Sequence, residues 1–282
     1  MGAEKFFDMG QSQSLVEIQN KSGVLKIAKS SPLRESRFEA QYNKHKEAEK
    51  SKMTPILVPS VLSDLVDFRY EMEYVYGVPL GNFIDTCDQQ ELQEPLGRIG
   101  EYFHQSLKNA DWTKSDNLQS AFKEKLSKLK TDITNDNQNS LLFYKLLNFV
   151  ELSIDKTIIP AGWNHGDFSF ENILVGQYSH ETFALDFLDS PFESPLIDIG
   201  RIWLDSRFGW WGVGLQPNSC YQLNSKVLSA SIIDTVTPHS ITVSELNIFA
   251  ALAILRIRPY TLNPLRMAFL KNAALQILGG KI

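Results

Sequence analysis

Two short runs hold the side chains best suited to chemistry: Trp163-Asn-His-Gly-Asp-Phe-Ser-Phe-Glu-Asn-Ile-Leu-Val175 and Phe183-Ala-Leu-Asp-Phe-Leu-Asp-Ser190. Asp167 and Asn172 stand five positions apart, His165 lies two before Asp167, and Asp186 sits on the next apolar segment. The apolar pieces read as short strands, and the polar residues adjoining them could not all be buried unpaired. That places the carboxylates at strand ends facing a cleft. A carboxylate that accepts a hydroxyl proton, an amide oxygen and a second carboxylate are the groups that phosphoryl transfer uses to orient a nucleophile and hold magnesium. His165 reads as a hydrogen-bonding brace for the loop rather than a reacting group.

The elements that position these runs follow from periodicity. Residues 15–29 read as a hairpin, LVEIQ and VLKIAK about a turn at 20–23. Residues 32–50, rich in Glu, Lys, Ala and Gln, predict a mostly exposed helix, and 55–78 returns to strand chemistry, broken at Gly77 and Pro79. Leu92, Leu96, Ile99, Phe103 and Leu107 recur at helical intervals, as do Phe122, Leu126, Leu129 and Ile133. A second long helical stretch over 244–278 is broken at Pro259 and Pro264, with Ser244 as N-cap. A small β-rich part thus precedes a large helical one.

His165-Gly166-Asp167, Asn172 and then Asp186-Phe187 resemble the catalytic loop and metal motif of aminoglycoside phosphotransferases, choline kinases and related small-molecule kinases. Gly166 stands where the protein-kinase loop, H-R-D-x-x-x-x-N, has arginine. The resemblance implies an α+β, bilobal protein-kinase-like fold: a nucleotide-binding lobe over 1–76 and a lobe with the catalytic loop and acceptor site over 77–282. It implies ATP or GTP as donor, Mg²⁺ held by Asn172 and Asp186, and Asp167 as the group that accepts the acceptor's proton. Lys26 would be the phosphate lysine, with Val24 against adenine on the same strand face and Lys29 the alternative on the opposite face. Glu39, or Glu35 one turn earlier, would fix that lysine. Met72-Glu73-Tyr74-Val75 resembles the hinge that reads adenine, and Phe103-His104 the apolar-His pair of the first large-lobe helix. Asp198 resembles the family's structural aspartate. The phosphate-covering loop departs from the pattern: Gly10 alone precedes Gln11-Ser12-Gln13-Ser14, so Ser12 and Ser14 would have to serve as donors. Leu188 also departs, and Asp189 follows it as an acid of unassigned role.

For the acceptor, Asp205, Arg207, Trp210 and Trp211 are candidates, against the alternative of a packed helix end. Residues 240–282 carry Glu245 against Arg256, Arg258, Arg266, Lys271 and Lys281, a net of +4. Such a surface repels a polycation and suits a neutral or anionic hydroxyl compound such as a sugar. An antibiotic phosphotransferase and a nucleotide-binding regulator with a degraded site remain as alternatives.

Across all 282 residues the net charge is −5, with 43% hydrophobic and 22% charged residues, which disfavours disorder and removes the electrostatic case for nucleic acid or an anionic membrane as partner. Residues 163–210 alone carry −6. The N-terminus reads as no secretory signal and no run approaches the ~18 apolar residues of a bilayer span, so the expectation is a cytoplasmic protein. Cys87 and Cys220, far apart and without ligand spacing, argue against disulfides and structural zinc.

Overall fold

The computed structural model describes residues 7–9, 15–21, 24–30, 35–51, 53–113, 115–134, 140–188, 190, 192–215 and 218–279. Strands β1 (Phe7–Met9), β2 (Leu15–Lys21), β3 (Val24–Ser30) and β4 (Arg69–Glu73) form one antiparallel sheet in the order β1-β2-β3-β4. The hairpin expected over 15–29 is present, with Leu15 opposite Ser30 and Lys21 opposite Val24. On the next boundary Lys26 faces Glu73 and Lys29 faces Tyr70.

Helix α1 (Glu35–Ser51) follows β3 but is not the exposed helix expected. It buries Phe38, Gln41, Tyr42, Lys44, His45 and Ala48. The stripe has helical spacing, but it is built from aromatic, amide, imidazole and ammonium groups rather than aliphatics, so composition hides it. Phe38 and Tyr42 pack with Tyr70 and Met72 of β4 into a small core under the sheet. The run 55–66 is not a regular strand; it touches its neighbours through isolated bridges, Leu57 with Phe183 and Val61 with Met72.

After the linker 74–76, β5 (Gly77–Pro79) pairs with β6 (Ile173–Gly176), which pairs with β7 (Thr182–Ala184), giving a second antiparallel sheet. Helices α2 (Leu80–Thr86), α3 (Gln89–Asn109), α4 (Ser115–Thr134) and α5 (Ser140–Ile154) lie in sequence between β5 and β6. Beyond β7 come α6 (Pro195–Trp203), a π-helical turn (Leu204–Phe208), α7 (Ser219–Val236), α8 (Val243–Ile257) and α9 (Pro264–Ile277). Asp88 and Glu91 form a capping box that starts α3. Thr242 and Glu245 do the same for α8, so its N-cap is Thr242 rather than Ser244. The breaks at Pro259 and Pro264 are where expected, a 3-10 turn over Arg258–Tyr260 and then the first residue of α9.

One large core joins these helices, with Phe103, Phe122, Phe143, Phe168, Phe170, Trp203 and Phe249 essentially inaccessible. Every residue of α6 is buried. At Gly200 a β-carbon would lie 2.3 Å from Phe249 Cβ, so α6 crosses α8 at a distance that only glycine permits. That close crossing seats α6, the carrier of Asp198 and Arg201, beneath the loop preceding β6. Among the described residues no single helix is long and apolar enough to cross a membrane.

Candidate active site

The loop 163–172 leads into β6 and is held from below by one carboxylate. Asp198 on α6 accepts from the backbone N–H of His165 (2.6 Å) and of Gly166 (2.8 Å), and from the Tyr102 hydroxyl of α3 (3.0 Å). Burial pushes its carboxyl up to about 6, against the pull of these donors. His165 is a brace of the kind its position suggested. Its Nε2 meets the Leu185 carbonyl (2.7 Å) and its Nδ1 takes the Asp167 N–H (3.2 Å), which assigns Nε2–H as the tautomer of a neutral ring. Burial pushes this imidazole down to about 4. Gly166 adopts φ +92, and a β-carbon there would lie 2.2 Å from the Leu188 carbonyl oxygen. The two chemical runs are therefore stitched together: Leu188 N–H donates to His165 O, and Leu185 N–H to Asn172 O.

Asp167 faces outward with its side chain a third exposed. Its Oδ1 accepts from Arg201 Nε at 2.8 Å, and its Oδ2 from Asn172 Nδ2 at 3.2 Å. Asn172 Nδ2 also reaches the Asp167 carbonyl at 3.0 Å, which turns the amide oxygen of Asn172 away from the loop. Arg201 is buried and shared: its Nη1 meets Asp205 Oδ2 at 2.9 Å, an oxygen that also accepts from Phe170 N–H at 3.0 Å. Burial works against the Arg201 charge, but Asp205 and Asp167 outweigh it, so the guanidinium stays protonated.

Across the cleft, Lys29 of β3 contacts Asp186 Oδ1. Desolvation opposes both charges, yet each partner prevails, so the lysine is held above and the aspartate below its ordinary value. Asp186 has φ 59, a left-handed backbone costing a non-glycine residue about 1 kcal/mol. Phe187 anchors that turn, its ring 4.5 Å from His165, 5.2 Å from His45 of α1 and 6.0 Å from Trp163.

The model of the phosphotransferase enzyme family (APH) matches residues 4–218. The chain belongs to this phosphotransferase family. Comparison with curated proteins gives no significant match. Among solved structures, a thermostable mutant of the aminoglycoside phosphotransferase APH(4)-Ia superposes with TM-score 0.68 at 14% identity, covering 99% of this chain and 94% of that one. The choline kinase LicA from Streptococcus pneumoniae gives 0.63 at 14% identity, covering 100% and 94%. A Plasmodium vivax ethanolamine kinase gives 0.57 at 11%, covering 98% and 83%. At these identities the likeness is one of fold, and it bears out the bilobal kinase-like architecture.

Within this phosphotransferase several side chains lie elsewhere than expected. Lys26 is not the lysine of the cleft: it pairs with Glu71 at 3.6 Å on the outer face of the sheet. Strand alternation puts Lys29 with Ile27 on the face that α1 and Leu185 cover, and both faces of VLKIAK are apolar enough that pattern alone did not choose between them. Glu39 is exposed on the outer side of α1, beside Tyr42, Asn43, Lys46 and Asp64, and does not meet the lysine. Among the described residues the carboxylate on Lys29 is Asp186 itself. Val24 lies in β3 opposite Lys21. Ser12, Ser14 and Asp189 fall outside the described residues, as does the Glu35 side chain. Glu73 ends β4, with its N–H on Ser60 O (2.9 Å) and its carboxylate taking Ser60 N–H (3.3 Å). Val75 is buried in the linker that follows. Phe103 packs on Phe168 at 5.3 Å, while His104 turns to His239.

On the acceptor side, three expectations fail through burial. Asp205 is 1% exposed, and its Oδ2 is taken by both Arg201 and the loop backbone. Trp211 packs on Tyr221, its indole filling the space over Gly81, and Trp210 packs on Phe269. Arg207 is exposed. The groups beside Asp167 come instead from the basic C-terminal segment. Arg256 donates to Gly166 O at 3.1 Å, and Arg266, stacked 5.3 Å over Trp210, approaches Glu171 at 3.5 Å. Only the net charge of that segment hinted at them. Arg201 was visible merely as an arginine three residues after Asp198.

Magnesium fits the donor set. Asp186 Oδ2 and the amide oxygen of Asn172 are hard oxygen donors, on backbone-paired segments, that would hold it. A cation that keeps waters and takes one or two protein oxygens plus substrate phosphates is of this kind.

Proposed function

We propose that this chain moves the γ-phosphoryl group of ATP, or GTP, to a hydroxyl of a small neutral or anionic molecule. The observation that carries the reading is the pairing across the cleft: Asp167 and Asn172 locked on one loop, and Asp186 on its neighbour, engaged with the buried ammonium of Lys29. Solved relatives of this fold bound AMP-PNP with hygromycin B, or AMP, which supports a nucleotide donor.

Asn172 and Asp186 would hold Mg²⁺, which when bound supplies charge neutralisation on the donor phosphates. Lys29 passes from Asp186 to the donor's phosphate oxygens, and the linker 74–76, with Glu73 just before it and Val75 at its centre, joins the two lobes around the nucleotide. Arg201 on Oδ1 fixes the Asp167 carboxylate so that Oδ2 faces the incoming hydroxyl. The acceptor oxygen bonds to the γ-phosphorus, the bond from that phosphorus to the bridging oxygen breaks, the nucleoside diphosphate leaves, and the acceptor's proton goes to Asp167 Oδ2. Positioning supplies most of the rate. Arg256 and Arg266 flank the loop, and their charge disfavours a polycationic acceptor.

Purified protein with MgATP should phosphorylate sugars or acidic hydroxyl compounds in a panel that also holds aminoglycosides. Transfer to aminoglycosides alone overturns the acceptor class, and no transfer to any member overturns the activity. Asp167→Ala should lower kcat about 10³-fold with nucleotide affinity kept, in the range of a lost general base.

A further inference from the structure

Lys44 does something that the transfer chemistry does not require. It sits on α1, 7% exposed, and its ammonium donates to Asn164 Oδ1 and to Glu193 Oε1, both at 2.9 Å, while lying 5.7 Å from the Trp163 ring. Both acceptors belong to the other lobe. Asn164 immediately precedes His165, and its own groups are fully engaged: its N–H gives to Glu193 Oε2 (3.2 Å), and its amide to the carbonyls of Phe192 (3.4 Å) and Ser194 (3.1 Å). Glu193 O in turn accepts from Gly162 N–H at 3.1 Å. Ser194 caps α6, which holds Asp198 and Arg201. One cation therefore gathers α1, the start of the catalytic loop and the lead-in to α6. The next residue on α1, His45, rests on Phe187, so the same helix turn also touches the Asp186 segment.

We propose that Lys44 is a positioning residue, a tie that sets the catalytic loop against α1; the catalytic part of this statement rests on the phosphotransfer reading above. The alternative is a tie that serves stability only. Removing one partner of a buried pair destabilises whichever role the tie has, so stability does not separate the two; they differ in whether the loop 163–170 and kcat respond and whether Lys44→Arg restores them. A tie with two directed hydrogen bonds has no apolar equivalent.

The test compares Lys44→Met, Lys44→Arg and Glu193→Gln in the full chain by hydrogen exchange of peptides spanning 163–170 and, with MgATP, by steady-state turnover. Lys44→Met should raise exchange of that segment at least tenfold while α8 keeps its protection. It should lower kcat at least tenfold with the KM for ATP within threefold, and Lys44→Arg should restore most of both. Wild-type exchange in 163–170, or a kcat within twofold of wild type, overturns the proposal. If Lys44→Met does not fold, Glu193→Gln at the half-exposed end of the tie carries the same expectations and the same refutation. A wild-type protein that turns over no ATP sinks the phosphotransfer reading alone, and the exchange data still decide whether Lys44 holds the loop.

Discussion

The inner and outer sides of the loop 163–172 use the same residue types to opposite ends. On the inner side Asp198 and His165 are fully buried, and each is shifted toward neutrality, the acid up to about 6 and the base down to about 4. On the outer side Asp167 and Asp186 keep 32% and 43% of their side chains exposed, and their partners are cations, Arg201 and Lys29. A carboxylate whose donors are backbone N–H groups and a hydroxyl serves as scaffold. One whose donor is a guanidinium or ammonium at the cleft edge keeps its side chain partly open to the cleft. Exposure together with partner type, more than residue type, separates the two roles: Asp205, on the same guanidinium but buried, is scaffold.

That contrast can be broken on its inner side first. Asp198→Ala strands two buried backbone N–H groups, and at about 1–3 kcal/mol for each the expected loss is roughly 4 kcal/mol of unfolding free energy, read by urea titration. A loss below about 1 kcal/mol would mean that water replaces the carboxylate and the inner side is not dry.

His165 gives a pH test of somewhat smaller size. In the unfolded chain its ring takes a proton near 6.5, whereas in the fold it resists until about 4. Its neutral form therefore adds stability that is complete above pH 6.5 and is lost as pH falls toward 4, roughly 3 kcal/mol in all. Asp198 and Asp205, raised to about 6, act in the other direction, since the fold holds their protons longer and stability falls as pH climbs from 4 to 6. The informative quantity is the difference between wild type and His165→Gln across pH 4–7, which should shrink the acid-side loss. Equal acid sensitivity in both proteins would remove His165 from the dry side.

The outer side is sharpened by its two lysines. Lys29→Met should raise the KM for ATP about tenfold or more, while Lys26→Met, which removes a partly exposed ion pair on the other face, should change it less than twofold. Equal effects would mean that the strand face has been misassigned.

Much of this was legible in the chain. The spacing of Asp167, Asn172 and Asp186 needed no structure to be singled out, because these polar residues adjoin short apolar segments, and Asp198 stood out through its resemblance to the family's structural aspartate. The helices around Leu92–Leu107 and Phe122–Ile133 carry one-sided apolar stripes, and the hairpin shows as two β-branched and aliphatic runs about a turn. What stayed hidden has a common cause, in that burial there is not signalled by hydrophobicity. Helix α1 buries a lysine and a histidine, α6 buries an arginine between two aspartates, and α7 mixes serine, asparagine and aliphatics around its circumference without a clear face. Trp210 and Trp211 misled in the opposite sense, since an aromatic pair beside a charged residue suggests a sugar platform yet here closes the core.

The bare backbone at Gly166 also limits how this chain can change by mutation. Replacing it with the arginine of the protein-kinase loop would demand, at one stroke, a left-handed backbone for a long side chain and the removal of the Leu188 carbonyl from the space that its β-carbon needs. Glycine at this position therefore holds the two chemical runs at backbone contact distance, a closeness that an arginine-bearing loop would have to give up.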